Sequence, residues 1–173
     1  MGNIYLVGFM ATGKTAVGRE LAKKKKWQFI DLDELIELRA KMAIAEIFAK
    51  NGEPYFRRIE KQALKDVAGE SKFVVACGGG IVIDRDNVNL MKQTGLIFCL
   101  TASPKVILNR TKGHIHRPLL NVASPQKQIE FLLKLRAPYY ALADKSIDTS
   151  KLSVKEVVDR IVKITSPKTK NKT

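Results

Sequence analysis

Residues 8–15 read GFMATGKT, and this segment carries the most specific chemical pattern in the sequence. Its spacing matches G-x-x-x-x-G-K-[ST], the P-loop motif, in which glycines let backbone N–H groups surround phosphate oxygens at a helix N-terminus. An apolar run precedes the motif and a helical pattern follows it, as the motif requires. We therefore predict a nucleoside triphosphate site with Mg²⁺ as cofactor, where Lys14 meets the β- and γ-phosphates and Thr15 ligates the metal. The predicted phosphate-binding residues are Gly8, Met10, Ala11, Thr12, Gly13, Lys14, Thr15 and Ala16.

Two acids follow the second apolar run, where residues 29–33 read FIDLD. In an extended chain, Asp31 and Asp33 point to one side and Leu32 to the other. One carboxylate could then hold Mg²⁺ through its water shell, and the other could accept a proton from an attacking hydroxyl. An alternative stays open, in which one of the two acids only caps the helix that follows.

Two arginines occupy positions at which a helix would normally bury apolar side chains. Glu60 falls on the apolar stripe of a helix near 53–69, and Arg57 lies three residues earlier, within reach of an ion pair. Because a carboxylate on an inner face needs a partner, we predict that Glu60 orients Arg57. A pair at the exposed edge of the stripe is the alternative.

Arg136 lies on the apolar stripe of a helix near 124–143, and its planar guanidinium suits a carboxylate or phosphate. The alternative is an arginine whose head reaches solvent. The stripe consists of Ile129, Leu132, Leu133, Arg136, Tyr140 and Ala143.

Gly78, Gly79 and Gly80 follow the third apolar run. Three successive glycines expose backbone N–H groups and permit a close approach by a ligand. Together with Arg57 and Arg136, they predict a second substrate that carries its own anion. A plain flexible loop is the alternative for the triplet.

The segment near 111–124 lacks regular periodicity, and loops of this length are often functional. We predict a mobile lid here, because phosphoryl transfer requires that water be excluded. Arg117, which precedes Pro118, would stabilise charge on the transferring phosphate. His114 and His116 have no Cys or acid spaced for zinc, and we interpret them as exposed loop residues.

Short apolar runs alternate with helical patterns along the chain, which predicts an α/β fold with a parallel sheet between two helical layers. The expected strands are 4–7, 28–31, 73–77, 96–100 and 145–149. The expected helices are 14–26, 32–50, 53–69, 84–93, 103–111, 124–143 and 153–164. Ligands of such folds bind at the carboxyl ends of the strands, where the motifs above all fall.

The bulk composition fits one domain over residues 1–165, followed by a disordered basic tail at 166–173. The chain has 173 residues, 45% hydrophobic and 28% charged, with a formal net charge of +14. Basic chains often bind nucleic acid, but no aromatic residues interleave with the lysines, so we predict small anionic ligands instead. Without an apolar run of membrane-spanning length or a leader pattern, we expect a cytoplasmic protein with no membrane partner. Cys77 and Cys99 are then expected to be reduced, buried thiols.

The ordered set of motifs over residues 3–162 resembles the shikimate kinase family. The resembling segments are the P-loop with Val17, Gly18 and Arg19, residues 29–34, residues 46–48, residues 52–60, the glycine triplet, residues 117–120, and Arg136 with Pro138 and Tyr140. The resemblance implies a three-layer P-loop kinase fold, like that of nucleoside monophosphate kinases, with five parallel strands and a mobile lid. It further implies a monomer that transfers the γ-phosphoryl of ATP to the 3-hydroxyl of shikimate.

The resemblance also implies roles for single residues. Asp33 would bind the acceptor hydroxyls and assist removal of the proton, and Asp31 would hold Mg²⁺ through water. Lys14 and Arg117 would serve the phosphates, and Arg110 would lie against the adenine. The shikimate carboxylate would be held by Arg57, Arg136 and the backbone of Gly79 and Gly80, next to Gly78, with Glu60 behind Arg57.

Two other functions remain open at this stage. Another small-molecule kinase, such as a gluconate kinase, shares the P-loop and the size, but we would not expect it to combine Arg57 and Arg136 with a glycine triplet. A shikimate kinase-like binding protein without turnover should have lost Lys14, Asp33 or an arginine, all of which are present. A phosphorylation assay separates these alternatives.

Overall fold

The computed structural model describes residues 2–112 and 123–166 as a five-stranded, all-parallel sheet with helices on both faces. The strands are β1 (Asn3–Val7), β2 (Gln28–Asp31), β3 (Phe73–Ala76), β4 (Gly95–Thr101) and β5 (Lys145–Asp148). The helices are α1 (Lys14–Lys25), α2 (Leu32–Ala40), α3 (Ile44–Ala68), α4 (Arg85–Thr94), α5 (Pro104–Thr111), α6 (Pro125–Tyr140) and α7 (Val154–Thr165). The spatial order of the strands is β2-β3-β1-β4-β5, so β1 lies at the centre. The predicted α/β class and parallel sheet are confirmed.

Alternation along the central strand divides the core into two layers. Ile4 and Leu6 pack on one face with α1 and α7, through residues such as Leu21 and Ile161. Tyr5 and Val7 face the other side, where α2 to α6 cover the sheet. Because side chains of a strand alternate, a run that is apolar at every position requires helices on both faces.

The predicted helix over 32–50 is wrong as a single element. α2 ends at Ala40, and Lys41 has a left-handed backbone (φ 51°) whose N–H bonds the carbonyl of Glu37. The chain starts again as α3 at Ile44, where the side chain of Glu46 accepts a hydrogen bond from the backbone N–H of Ala43. The apolar periodicity is similar on either side of this turn, so a pattern search merges the two helices.

α3 itself is interrupted at Gly52, whose φ of 78° and ψ of 171° are not helical. Positive φ is inexpensive only for glycine, so this residue allows the axis to change direction. Pro54 follows directly, at the start of the second half, where a missing N–H costs least. The first half carries Ile44 and Phe48, and the second carries Arg57 and Glu60.

Both cysteines are free and buried, as predicted. Burial raises the pKa of the Cys77 thiol well above its ordinary value, and that of Cys99 to about 11. Cys77 lies one residue beyond the end of β3, because the expected strand over 73–77 stops at Ala76.

Candidate active site

The P-loop wraps the N-terminus of α1 at the carboxyl end of β1. Gly8 has φ 136°, and a Cβ there would collide with the carbonyl oxygen of Leu100, so only glycine fits. Gly13, at φ 98°, precedes the first turn of α1. The Lys14 ammonium donates to the carbonyl oxygens of Gly8 and Phe9 at 2.9 Å each, which holds it across the mouth of the loop. The geometry is that of an anion site made from backbone N–H groups and one cation.

Thr15 and Asp31 form the second element of the site. The Thr15 hydroxyl donates to Asp31 Oδ2 at 2.7 Å, while Asp31 Oδ1 accepts from the backbone N–H of Asp33 at 3.1 Å. Asp31 therefore caps α2 and faces the P-loop at the same time, so the two predicted roles are compatible. A hydroxyl and a carboxylate side by side are hard oxygen ligands of the kind that Mg²⁺ prefers.

Asp33 reaches the cleft by a different route from the one predicted. The extended geometry that placed both acids on one side ends at Asp31, and Asp33 lies in the first turn of α2. Its carboxylate is largely withdrawn from water and faces Asp31, and these two causes raise its pKa to about 6, against a partial offset from Lys14. A carboxylate with a raised pKa in a cleft is suited to accept a proton near neutral pH.

Arg57 is held by two carboxylates of its own helix. Its Nη1 donates to Glu60 Oε2 at 2.7 Å, and its Nε and Nη2 donate to Glu53 Oε1 at 3.2 and 3.1 Å. The predicted pairing with Glu60 is confirmed, and Glu60 is buried rather than placed at an exposed edge. These bonds use three of the five guanidinium N–H groups and leave one on each terminal nitrogen, which is the number that a bidentate carboxylate needs.

The glycine triplet lies between the two arginines. A Cβ at Gly80 would stand 2.5–2.8 Å from three atoms of the Arg57 guanidinium, and one at Gly79 would stand 3.4 Å from Arg136 Nη1. On the third glycine, Gly78, a Cβ would lie 2.8 Å from Glu60 Oε1 and 3.0 Å from Asp33 Oδ1. The triplet thus permits three charged side chains to approach the backbone, which a flexible loop would not require.

One cleft of about 930 Å³ joins these parts. Its lining includes the P-loop lysine, both acids after β2, both arginines and the glycine triplet. Ile44, Phe48 and Phe56 add an apolar wall, in which the rings of Phe48 and Phe56 lie 4.7 Å apart. Sequence reasoning missed this wall, because Ile44 and Phe48 look like ordinary core positions of an amphipathic helix.

Arg110 lies behind the P-loop and ties it to the end of β5. Its Nη1 donates to the Ala11 carbonyl oxygen and to Thr149 Oγ1, both at 3.1 Å, and its Nη2 donates to the Thr149 carbonyl oxygen at 2.9 Å. Thr149 in turn donates to the carbonyl oxygens of Thr12 and Thr101 at 3.0 Å each. Ala11 has a left-handed φ of 58°, a conformation that these bonds help to maintain.

Several predicted features fall on residues that the structure does not describe. Arg117, His114 and His116 lie within 113–122, as does most of the expected lid at 111–124, and the expected tail lies almost wholly within 167–173. Within the ranges 2–112 and 123–166, no group of three or more His, Cys, Asp or Glu side chains could hold a metal ion. No helix in those ranges has the length and apolar character needed to cross a membrane.

The comparison with known families decides which chemistry this cleft belongs to. A family model described as shikimate kinase matches residues 10–166. The chain belongs to the shikimate kinase family. Members of this family are ATP-dependent kinases, and the chain is an enzyme of that class.

Relatives in the shikimate kinase family match over almost the whole chain. The shikimate kinase of Thermodesulfovibrio yellowstonii is 47% identical over 163 residues, which is 94% of each protein. The shikimate kinase of Geobacter sulfurreducens is 45% identical and covers 92% of this chain and 88% of its own length.

Solved structures of shikimate kinases share the fold. The Acinetobacter baumannii enzyme in complex with shikimate superposes with a TM-score of 0.89 at 36% identity, over 95% of this chain and 92% of that one. A gluconokinase from Sinorhizobium meliloti superposes with a TM-score of 0.56 at 15% identity, over 91% of this chain and 87% of that one, and this likeness concerns the fold alone.

Proposed function

We propose that this chain transfers the γ-phosphoryl group of ATP to the 3-hydroxyl of shikimate, giving shikimate 3-phosphate and ADP. The observation that carries the proposal is a single cleft that has a P-loop at one end, two arginines around a glycine triplet at the other, and Asp33 between them. The P-loop suits a triphosphate, and the arginines suit an acceptor with a carboxylate.

ATP would bind with its phosphates in the P-loop, between the backbone N–H groups and Lys14. Thr15 and Asp31, which are 2.7 Å apart, would hold Mg²⁺, Asp31 through water. When bound, the metal neutralises phosphate charge as the γ-phosphoryl leaves. Arg110 would lie against the adenine, in keeping with its place beside the P-loop at Ala11. Met10, Ala11, Thr12, Gly13 and Ala16 complete the proposed nucleotide site.

Shikimate would bind by its carboxylate to the two remaining N–H groups of Arg57, to Arg136 and to the backbone N–H groups of Gly79 and Gly80. This leaves the ring hydroxyls toward Asp33, which is largely desolvated. Asp33 would accept the proton of the 3-hydroxyl as that oxygen attacks the γ-phosphorus. Lys14 and Arg117 would stabilise the charge on the transferring group.

We further propose that the protein works as a cytoplasmic monomer on these two small molecules, without nucleic acid or a membrane. The high net charge of +14 would attract both anionic substrates. Sedimentation velocity tests the monomer, and the salt dependence of the association rate tests the attraction, which a flat dependence would contradict.

The decisive experiment measures ADP release from Mg·ATP with shikimate, gluconate, a nucleoside monophosphate or no acceptor. Turnover with shikimate alone supports the proposal, and ³¹P NMR of the product identifies the phosphorylated hydroxyl. Turnover with gluconate alone would assign the chain to another small-molecule kinase activity. Binding of both ATP and shikimate without turnover would make it a binding protein.

A variant pair connects the reaction to the residues of the cleft. Arg136→Ala should lose shikimate binding while ATP still binds, because Arg136 lies at the acceptor end of the cleft. Lys134→Ala, an exposed cation on the same helix, is the matched control. Equal loss of both ligands in Arg136→Ala would show that the acceptor site is wrongly placed.

A further inference from the structure

Tyr140 stands where α6 meets the glycine triplet. It is the last residue of α6, four residues after Arg136, and only 9% of it is exposed. Its hydroxyl donates a hydrogen bond of 2.8 Å to the carbonyl oxygen of Gly79. None of the predicted roles used this side chain, which sequence patterns treat as one more apolar member of the α6 stripe.

The same hydroxyl also interacts with Arg136. Burial raises the pKa of Tyr140 to about 12, and the charge of Arg136 together with a hydrogen bond from it offsets part of that rise. A Cβ on Gly79 would lie 3.4 Å from Arg136 Nη1 and 3.6 Å from the Tyr140 hydroxyl oxygen, so both groups approach the same backbone atom. One hydroxyl thus connects the guanidinium with the triplet.

The bond to Gly79 also fixes the direction of the next N–H group. The carbonyl of Gly79 and the N–H of Gly80 belong to one planar trans peptide unit, so they point in opposite directions. When the carbonyl points to Tyr140, the N–H of Gly80 must point away from it. Glycines on both sides of this unit offer little resistance to its rotation, so an external bond is needed to hold it.

We propose that Tyr140 is a positioning residue for the acceptor carboxylate, which holds the Gly79–Gly80 peptide and Arg136 in one arrangement. The inference rests on the proposed function in that the anion to be held is the shikimate carboxylate. Tyr140 makes no contact with substrate in this account. Its hydroxyl acts through the Gly80 N–H group and the Arg136 guanidinium.

The first test compares the kinetics of Tyr140→Phe with those of the parent protein. Removal of one oxygen should raise the KM for shikimate about 3- to 10-fold, the range that one lost hydrogen bond supplies. The KM for ATP and the kcat should stay within about twofold, because the P-loop does not touch this hydroxyl. An unchanged KM for shikimate, or an equal rise for ATP, would overturn the proposal.

Two other tyrosines provide matched controls. Tyr139→Phe changes the neighbouring residue, which is 36% exposed, and should leave both KM values unchanged. Tyr5→Phe removes a buried hydroxyl that is 2.7 Å from Thr94 Oγ1, at the opposite edge of the sheet. This variant should lose thermal stability without any change in the KM for shikimate, which separates positioning from general destabilisation.

A second measurement does not depend on turnover. In ¹⁵N-labelled protein without substrate, Tyr140→Phe should shift or broaden the amide resonance of Gly80, and Tyr139→Phe should leave it in place. If the parent protein fails to phosphorylate shikimate, the proposed function fails, while the Gly80 resonance still decides whether Tyr140 holds this peptide. An unchanged Gly80 resonance in Tyr140→Phe would overturn the proposal.

Discussion

Arg57 donates to Glu60 Oε2 at 2.7 Å, and the other oxygen of this carboxylate, Oε1, has no hydrogen-bond partner among the described residues. Glu60 is 1% exposed, so this second oxygen is withdrawn from water as well. Burial raises the pKa of Glu60, and the positive charge of Arg57 opposes that rise. A half-partnered buried carboxylate costs stability, and here it keeps one guanidinium aimed into the cleft.

Glu60→Gln should raise the KM for shikimate about 10-fold or more and leave the KM for ATP unchanged. The substitution keeps the shape and removes the charge, and bonds to charged groups contribute about 1.5–3 kcal/mol. Glu53→Gln is the control, because Glu53 binds the same guanidinium but its side chain is 61% exposed, where ion pairs contribute about 0–1 kcal/mol. Steady-state kinetics with each substrate varied in turn measures both. Equal effects of the two substitutions would contradict the assigned role of burial.

The kcat/KM for shikimate should fall as the pH drops below about 6, because Asp33 has its pKa raised to about 6 by burial and by Asp31. A general base must be deprotonated, so the loss should approach tenfold per pH unit below that value and vanish above it. Asp33→Asn should lose about 10²- to 10⁴-fold in kcat and lose this acid limb. A limb centred near pH 4 would mean that Asp33 remains well solvated in solution.

Asp33→Asn should also stabilise the fold at pH 8 but not at pH 4. A carboxyl group whose folded-state pKa lies above its unfolded value gives its full contribution to stability at low pH, and that contribution is lost as the pH rises through about 6. Removing the charge should therefore recover about 1–3 kcal/mol of unfolding free energy at pH 8. Urea unfolding at both pH values measures this difference. Asp66→Asn, an exposed acid whose pKa is lowered by Arg39, should show the opposite sign.

Gly80→Ala should impair shikimate binding more than Gly79→Ala. A Cβ at Gly80 would stand 2.5 Å from Arg57 Nη2, so the guanidinium must move, whereas at Gly79 the nearest atom is 3.4 Å away. Gly80 has φ −101°, which alanine adopts freely, so the effect is steric rather than conformational. Gly69→Ala, whose Cβ would meet its nearest atom at 3.5 Å, is the control. Isothermal titration with shikimate should rank the three variants in this order.

Thr149→Val should raise the KM for ATP about 3- to 10-fold and leave the KM for shikimate unchanged. The near-isosteric change removes a hydroxyl that bonds the Thr12 carbonyl oxygen at 3.0 Å and accepts from Arg110, so the P-loop loses a support from behind. Thr149→Ser restores the hydroxyl and should restore the KM. A rise for shikimate of the same size would indicate general loosening of the sheet edge.

The chain order of elements and the motif positions were predictable, because both depend on local patterns. Apolar runs of four or five residues identified all five strands, and the P-loop spacing identified its own turn and helix. The pairing of Arg57 with Glu60 followed from helical spacing alone, since three residues place two side chains on one face.

Features that depend on distant segments could not be predicted in this way. The turn between α2 and α3 is maintained partly by the Glu37 side chain, which accepts from the N–H of Ile44 at 2.8 Å, and no periodicity encodes it. Thr149 meets Thr12 across 137 positions of sequence. Tyr140 looked apolar because its ring is, and only its position against Gly79 gives its hydroxyl a partner.

The break at Gly52 separates two kinds of acceptor recognition that α3 contains. Ile44 and Phe48 contribute apolar surface from one side of the break, while Arg57 and Glu60 contribute charge from the other. Sequence changes in the first segment can therefore alter the ring that fits without disturbing the anion that is gripped. A scaffold built in this way can diversify its acceptors piecemeal, and residues 44–51 are the part to exchange in any attempt to redirect it.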